Sequence, residues 1–127
     1  MKKNILITAI FIVIMVSASS AFSQSAVYFC TATGAYGFAY GYSTKADAQV
    51  KAYDACIGYG GTNPVLISST DSKGWGAIAL GNDSNGNRVI GAAIGYTSLA
   101  EAKSAAITAC QNYGGSGVSI KDTFEDR

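Results

Sequence analysis

The chain has 127 residues, of which 49% are hydrophobic and 13% are charged, and it contains no histidine. The lack of histidine excludes Ser-His-Asp and Cys-His nucleophilic systems and most zinc sites. The chain contains nine lysines and arginines and eight aspartates and glutamates. This near-neutral charge, without basic runs, argues against nucleic acid as a partner and provides no electrostatic attraction to anionic lipid.

The N-terminus has the pattern of a secretory signal. Lys2 and Lys3 precede an apolar segment over residues 5–16 that is short for a membrane span, and Ala21-Phe22-Ser23 fits the small-x-small cleavage rule. We predict a signal peptide over residues 1–23, with cleavage after Ala21 as the alternative. The mature chain, residues 24–127, is then one small exported domain, periplasmic or extracellular, with no membrane segment.

A β-hairpin and a helix are predicted next. Residues 27–33 are β-rich, residues 35–42 alternate strictly, and the two runs turn at Thr33-Gly34. The alternation places four aromatic residues on one strand face and small residues on the other. The aromatic residues are Tyr36, Phe38, Tyr40 and Tyr42. Thr44 with Asp47 predicts the start of the helix, Gly60-Gly61 predicts its end, and a short strand over residues 64–68 follows.

The second half repeats this order at a constant offset of 54 residues. Residues 37–61 and 91–115 are identical at 12 of 25 positions without a gap. Strands are predicted over residues 75–80, 88–96 and 118–123, and the capping box of Ser98 and Glu101 begins the second helix. One face of each helix consists mainly of alanine. These matched faces are Ala48, Ala52, Ala55, Cys56 and Tyr59, and Ala102, Ala106, Ala109, Cys110 and Tyr113.

These elements predict an α+β fold. The duplicated β-β-α-β unit covers residues of about 26–70 and 75–124, and we expect one mainly antiparallel sheet with both helices packed on one face. Residues 125–127 are predicted to fray. Asp83, Asn85 and Asn87 alternate as calcium ligands do, but Ile94 stands where such a loop needs glutamate, so we predict a plain hairpin turn and no metal.

Three cysteines remain after the signal, and an exported protein is expected to form disulfides. The odd number leaves one free thiol. We favour a Cys30–Cys56 bridge within the first unit, with Cys110 as a buried free thiol. The alternative is Cys56–Cys110, which would join the two helices.

Three motifs resemble the secreted bacterial family catalogued as domain of unknown function 4189. They are Thr33-Gly34-Ala35-Tyr36-Gly37, Trp75-Gly76-Ala77-Ile78-Ala79, and the pattern Tyr-[Ser/Thr]-x-x-Ala-[Asp/Glu]-Ala…Ala-x-x-Ala-Cys in both units. The resemblance covers most of the mature chain and implies export and a small compact domain, but no reaction. Members of that family often carry further cysteines after the helix. Val65 and Val118 lie in those regions here, so this chain departs from the family disulfide pattern.

The acidic residues are accounted for by caps, turns, an exposed helix face and the tail, so we predict no enzyme and no cofactor. The aromatic strand face either fills the core under the helices or forms an exposed surface suited to protein or glycan. The candidate binding residues are Tyr36, Phe38, Tyr40, Tyr42, Tyr96 and Trp75. We expect a periplasmic inhibitor or immunity-type protein that docks on another envelope or secreted protein, such as a toxin or hydrolase. The alternative is a module that binds cell-wall glycan or peptidoglycan.

Overall fold

Strands and helices follow one another in the order β-β-α-β, twice, in the computed structural model, which describes residues 23–127. The first unit contains β1 (Gln24–Phe29), β2 (Tyr36–Tyr42), α1 (Lys45–Gly58) and β3 (Val65–Thr70). The second contains β4 (Gly74–Asn82), β5 (Arg88–Tyr96), α2 (Leu99–Asn112) and β6 (Ser116–Asp126). The α+β class and the duplicated unit are thereby confirmed. The predicted signal peptide lies outside the described residues apart from Ser23.

Both helices begin at the predicted caps. The Thr44 hydroxyl accepts a hydrogen bond from the Asp47 backbone N–H at 3.0 Å, and the Ser98 hydroxyl accepts one from the Glu101 N–H at 3.2 Å. These bonds satisfy donors that have no partner inside the helix. The Glu101 carboxylate accepts from the Thr97 hydroxyl at 2.7 Å. No helix within the described residues is long and apolar enough to cross a membrane.

The strands form two sheets rather than the single sheet we expected. β2-β1-β3 make one antiparallel three-stranded sheet, and β5-β4-β6 make the other. Each sheet packs its alanine-rich face against the helix of its own unit, α1 on the first sheet and α2 on the second. The opposite faces carry large apolar residues that pack against each other. The result is a four-layer arrangement with the helices on the outside and the two sheets in the middle.

The main core therefore lies between the sheets. Its buried members come from both units and alternate along their strands with the residues that face the helices. They are Val27, Phe29, Ile78, Leu80, Ile90, Ile94 and Phe124. Alanine-rich helices bury little apolar area for each residue, whereas this layer buries branched and aromatic side chains. The packing between the units, rather than the packing of the helices, is the larger apolar contribution to the fold.

A bulge at the same position in each unit reverses the side-chain alternation near the end of the hairpin. Ala39 pairs with Ala26, but Tyr42 pairs with Gln24, so β2 has one residue more than β1 at this point. Gly41, with φ of 75°, takes up the extra residue, and Gly95, with φ of 80°, does the same in the second unit. Such φ values favour glycine at a bulge of this type. The prediction that Tyr42 shares a face with Tyr36 is consequently wrong.

The predicted fraying of the C-terminus is also wrong. Asp126 is the last residue of β6, pairs with Gly74 of β4 and is 4% exposed. Its carboxylate accepts hydrogen bonds from the Ser25 hydroxyl at 2.8 Å and from the Gly41 backbone N–H at 3.2 Å. Both donors belong to the first unit. The end of the chain is therefore held by the other half of the molecule, which the sequence pattern of the tail alone could not show.

Candidate functional site

The aromatic residues of β2 lie on the inner face of the first sheet. Tyr36 and Phe38 pack against the core between the sheets. Phe38, Tyr40 and Phe124 form a stack in which Phe124 is 5.3 Å from Phe38 and 4.7 Å from Tyr40 between ring centroids. Tyr40 remains 46% exposed at the edge of this stack. The small-residue face is turned to α1, yet the aromatic face is covered by the second sheet, a combination that neither of our two alternatives contained.

The six candidate binding residues do not form one patch. Tyr42 packs beside α1 because of the bulge, and Trp75 packs against the cluster under α2. Trp75 pairs across the strands with Tyr96, which is 39% exposed. The structure thus brings together Tyr36, Phe38 and Tyr40 and separates them from the other three.

All three cysteines are buried free thiols in this structure, so the predicted Cys30–Cys56 bridge is not formed in it. Cys30 and Cys56 nevertheless share a small cluster with Ala35. The Ala35 carbonyl accepts from the Cys30 backbone N–H at 2.9 Å and from the Cys56 thiol at 3.5 Å. Cys110 belongs to the cluster under α2. The alternative Cys56–Cys110 bridge is incompatible with the fold, since both sheets lie between the two helices.

The two neighbouring thiols have opposite pKa shifts. Hydrogen bonds from Thr33 and Thr62 lower the pKa of Cys30 to about 6, although burial opposes them. Burial raises the pKa of Cys56, and so does the nearby charge of Cys30. Cys30 therefore has the larger thiolate fraction of the pair, but its side chain is only 1% exposed in the folded protein.

A cleft of about 640 Å³ opens where the two units meet. Its lining includes Tyr36 of β2 and two charged side chains, Arg88 at the start of β5 and Asp122 of β6, with further hydroxyl groups from Thr33 and Tyr59. The Tyr36 hydroxyl donates a hydrogen bond to Asp122 at 2.5 Å, and an Arg88 N–H donates to the Gly34 carbonyl at 2.9 Å. Burial and the adjacent Asp122 carboxylate raise the pKa of Tyr36 to about 12. The rest of the wall is largely apolar or aromatic and includes Phe38, Ala55 and Tyr59.

The outer surface of the first unit carries a second candidate site, which we call the outer apolar face. The name covers the exposed apolar side chains of two neighbouring elements, Val50, Tyr53 and Ile57 of α1 with Val65, Leu66 and Ile67 of β3. Within β3, Leu66 pairs with Tyr28 and lies on the helix side of the sheet, whereas Val65 pairs with Phe29 and lies on the other side. At 100° per residue, Val50 and Ile57 fall on the side of α1 opposite the buried Ala48, Ala52 and Cys56. Tyr53 lies at the flank of the helix, where its ring is 5.5 Å from that of Tyr28 between centroids.

The second unit is polar at four of the six equivalent positions. At an offset of 54, Val50 corresponds to Ser104, Ile57 to Gln111, Val65 to Ser119 and Ile67 to Lys121, while Tyr53 and Leu66 correspond to the half-buried Ile107 and Ile120. Because the two units share a fold, folding alone does not require apolar side chains at those four positions. The sequence carries this asymmetry in the differing positions of the repeat, whereas the identical positions indicate only the shared fold.

The polar turn over residues 83–87 is held by hydrogen bonds within the turn itself. The Asp83 carboxylate accepts from the backbone N–H groups of Asn85 and Asn87, each at 2.9 Å, which is the hairpin turn that we predicted. Among residues 23–127 there is no group of three histidine, cysteine, aspartate or glutamate side chains placed to hold a metal ion. Sequence reasoning missed Arg88, Asp122 and Tyr59 as members of a common site, since they are distant in the chain and none lies in a recognisable motif.

Residues 21–124 match the family model described as a domain of unknown function, DUF4189. No curated protein and no solved structure matches the chain.

Proposed function

We infer that this chain, which belongs to the DUF4189 family, is a small exported protein that acts without catalysis by docking on another protein. The observation that carries the proposal is the outer apolar face of the first unit. Exposed apolar side chains that are concentrated in one of two matched units mark an interaction site more often than they serve the fold. The second unit supports this interpretation, because it forms the same helix and strand with polar residues at four of the six matched positions.

The composition of the face suits a protein partner. It combines an exposed helix side with β3, which is an edge strand bonded only to β1 within its sheet. An edge strand offers backbone donors and acceptors to an incoming segment, and the neighbouring apolar side chains provide the buried area. The specific form that we propose is a periplasmic inhibitor or immunity-type protein whose partner is an envelope or secreted protein, such as a toxin or hydrolase.

The test exchanges residues between the units. A variant with Val50→Ser, Ile57→Gln, Val65→Ser and Ile67→Lys takes each new residue from the matched position of the second unit. We expect wild type to capture one secreted or envelope protein in a stoichiometric complex and the variant to lose it while keeping its circular dichroism spectrum. A Tyr113→Ser variant, which removes an exposed aromatic residue beside the other helix, serves as the control and should bind as wild type does. Equal capture of the partner by wild type and the exchange variant would show that the outer apolar face is not the docking site.

A second candidate function is a cell-wall glycan module, and Tyr40 is the observation that favours it. An aromatic ring that is half-exposed and held by a stack provides a rigid platform for a sugar ring. We then expect the protein to sediment with purified peptidoglycan and Tyr40→Ala to abolish sedimentation. Tyr59→Ala is the control, since Tyr59 is an exposed tyrosine outside the stack.

A further inference from the structure

We propose that the cleft between the two units binds a small ligand that carries a carboxylate beside an apolar body, with Arg88 as the partner of the carboxylate. Nothing in this proposal depends on the outer apolar face, because none of the residues exchanged above lines the cleft. The volume of about 640 Å³ lies within the usual range for small-molecule pockets.

Arg88 is held in place by a hydrogen bond, yet its positive charge is not neutralised by a neighbouring carboxylate within residues 23–127. Its hydrogen bond to the Gly34 carbonyl, at 2.9 Å, uses one of the five N–H donors of the guanidinium group. The described residues place no carboxylate within ion-pair distance of Arg88; their one ion pair joins Arg127 and Glu125 at the far end of β6. An arginine fixed by a backbone carbonyl retains a planar set of donors that matches the two oxygens of a carboxylate.

The one carboxylate in the cleft is already engaged. Asp122 accepts the Tyr36 hydroxyl hydrogen at 2.5 Å, and the raised pKa of Tyr36 keeps that phenol protonated throughout the neutral range. Arg88 also lines a smaller adjoining cavity of about 240 Å³, to which Lys121 contributes a second positive charge. In the cleft, the Arg88 guanidinium is available to a ligand, whereas the Asp122 carboxylate already accepts a hydrogen bond. The cleft therefore favours an anionic ligand.

The remaining lining indicates what else the ligand contains. Phe38, Ala35 and Ala55 supply apolar surface, and the Tyr59 ring stands exposed at the edge. A single guanidinium beside Asp122 suits one carboxylate better than a more highly charged phosphate group. A free organic acid and the C-terminal residue of a peptide share this chemistry of a carboxylate next to an apolar side chain.

The test measures amide chemical shifts of the whole mature protein during titration with N-acetyl-phenylalanine and with its primary amide. We expect the acid to shift the signals of Ala35, Gly37 and Tyr59 with a Kd of roughly 1 mM, and the amide to bind at least about tenfold more weakly. Arg88→Gln should weaken binding of the acid to the level of the amide. Arg127→Gln, which removes the same charge outside the cleft, should leave it unchanged.

The two sources of the carboxylate are separated with N-acetyl-Ala-Phe. Tighter binding of this dipeptide than of N-acetyl-phenylalanine indicates a peptide C-terminus, and the reverse indicates a free acid; either result supports the carboxylate site. Equal binding of acid and amide to wild type, or shifts confined to residues outside the cleft, would overturn the proposal even if Arg88→Gln does not fold. Loss of docking in the exchange variant leaves this result untouched, so the two proposals fail separately.

Discussion

Tyr36 connects the two units through two parts of one side chain. Its ring packs against the core between the sheets, and its hydroxyl donates to Asp122 of β6. Both burial and the Asp122 charge disfavour the phenolate, and this raises the pKa of Tyr36 from 10.0 to about 12. A group whose pKa is raised on folding stabilises the folded state below its unfolded pKa and loses that contribution as the pH rises through the folded value.

We therefore expect the free energy of unfolding to fall between pH 10 and pH 12 by an amount that Tyr36→Phe removes. Denaturant titrations of wild type and variant across this range measure the effect. The difference in phenolate absorbance between the two proteins should give a single transition near pH 12. A transition near pH 10 would contradict the proposed environment of this phenol.

Cys30 and Cys56 should form a disulfide when the reduced chain refolds with oxidised glutathione, since both side chains are buried once folding is complete. The Cys30 thiolate attacks oxidised glutathione and releases one reduced glutathione. Cys56, as thiolate, then attacks the mixed disulfide and releases the second. The product has lost two hydrogen atoms and is identified by mass spectrometry of proteolytic fragments. Cys110→Ser should give the same bridge, and Cys30→Ser should give none, because Cys110 lies across both sheets from Cys56.

At the scale of elements, most of the local structure could be predicted from the sequence. The caps at Thr44 and Ser98, the glycines after the helices and the alternation in β2 are local signals, and the strands and helices occur where these signals indicate. The pairing of whole faces was not predictable in the same way. The alternating aromatic residues indicate that this strand face is covered by another element. Whether a helix or a second sheet covers it depends on contacts between Val27, Ile78 and Phe124, which are far apart in the chain.

The candidate sites show the same division. The cleft depends on Tyr36, Arg88 and Asp122, which meet only because the two sheets face each other. The outer apolar face involves residues of one unit, so its asymmetry is readable from the repeat once the differing positions are compared. Local sequence patterns can thus reveal a surface that belongs to one unit. A site formed between the units can be predicted only when the arrangement of the two sheets is known.

Gly37 and Gly91 set how closely each helix approaches its sheet. A Cβ atom at Gly37 would overlap the Ala52 carbonyl oxygen and the Cys56 backbone nitrogen of α1. A Cβ at Gly91 would overlap the matched backbone atoms of Ala106 and Cys110 in α2. Backbone atoms inside a helix cannot move aside independently, so glycine at these positions is required by the close approach.

Replacing either glycine with alanine should destabilise the protein by about 1–3 kcal/mol or more, because overpacked sites displace their neighbours. Thermal and denaturant unfolding of Gly37→Ala and Gly91→Ala measure the loss. Gly58→Ala is the matched control, since a Cβ at Gly58 meets no atom within 4 Å. That control should be neutral or slightly stabilising. Equal stability of all three variants would contradict the close packing of helix on sheet.

At the scale of the whole molecule, the units contact each other through equivalent residues. Gly34 and Arg88 differ by 88 − 34 = 54 positions and lie against each other. The Gly41 backbone N–H donates to the Asp126 carboxylate, and Gly95 lies beside Ser72. At the repeat offset of 54, Gly95 is the equivalent of Gly41 and Asp126 is the equivalent of Ser72, so the two contacts are reciprocal. Reciprocal contacts of this kind are typical of a two-fold symmetric interface. The two units therefore resemble a symmetric dimer joined into one chain.

Such an interface makes the units interdependent, because each alone would expose its inner sheet face to water. We expect a mutation in one unit to lower the stability of the other. Val27→Ala removes a fully buried side chain of β1 and should cost about 2 kcal/mol. The single tryptophan, Trp75, lies in the second unit and reports on that unit by fluorescence.

In Val27→Ala, the unfolding transition followed by Trp75 fluorescence should shift by the same amount as the transition followed by circular dichroism, as in two-state unfolding. The converse variant, Ile78→Val, alters the second unit and should move both transitions together by about 1 kcal/mol. A Trp75 transition that stays in place in Val27→Ala would show that the second unit folds independently. In that case the cleft would be a contact between two separate domains rather than part of one cooperative core.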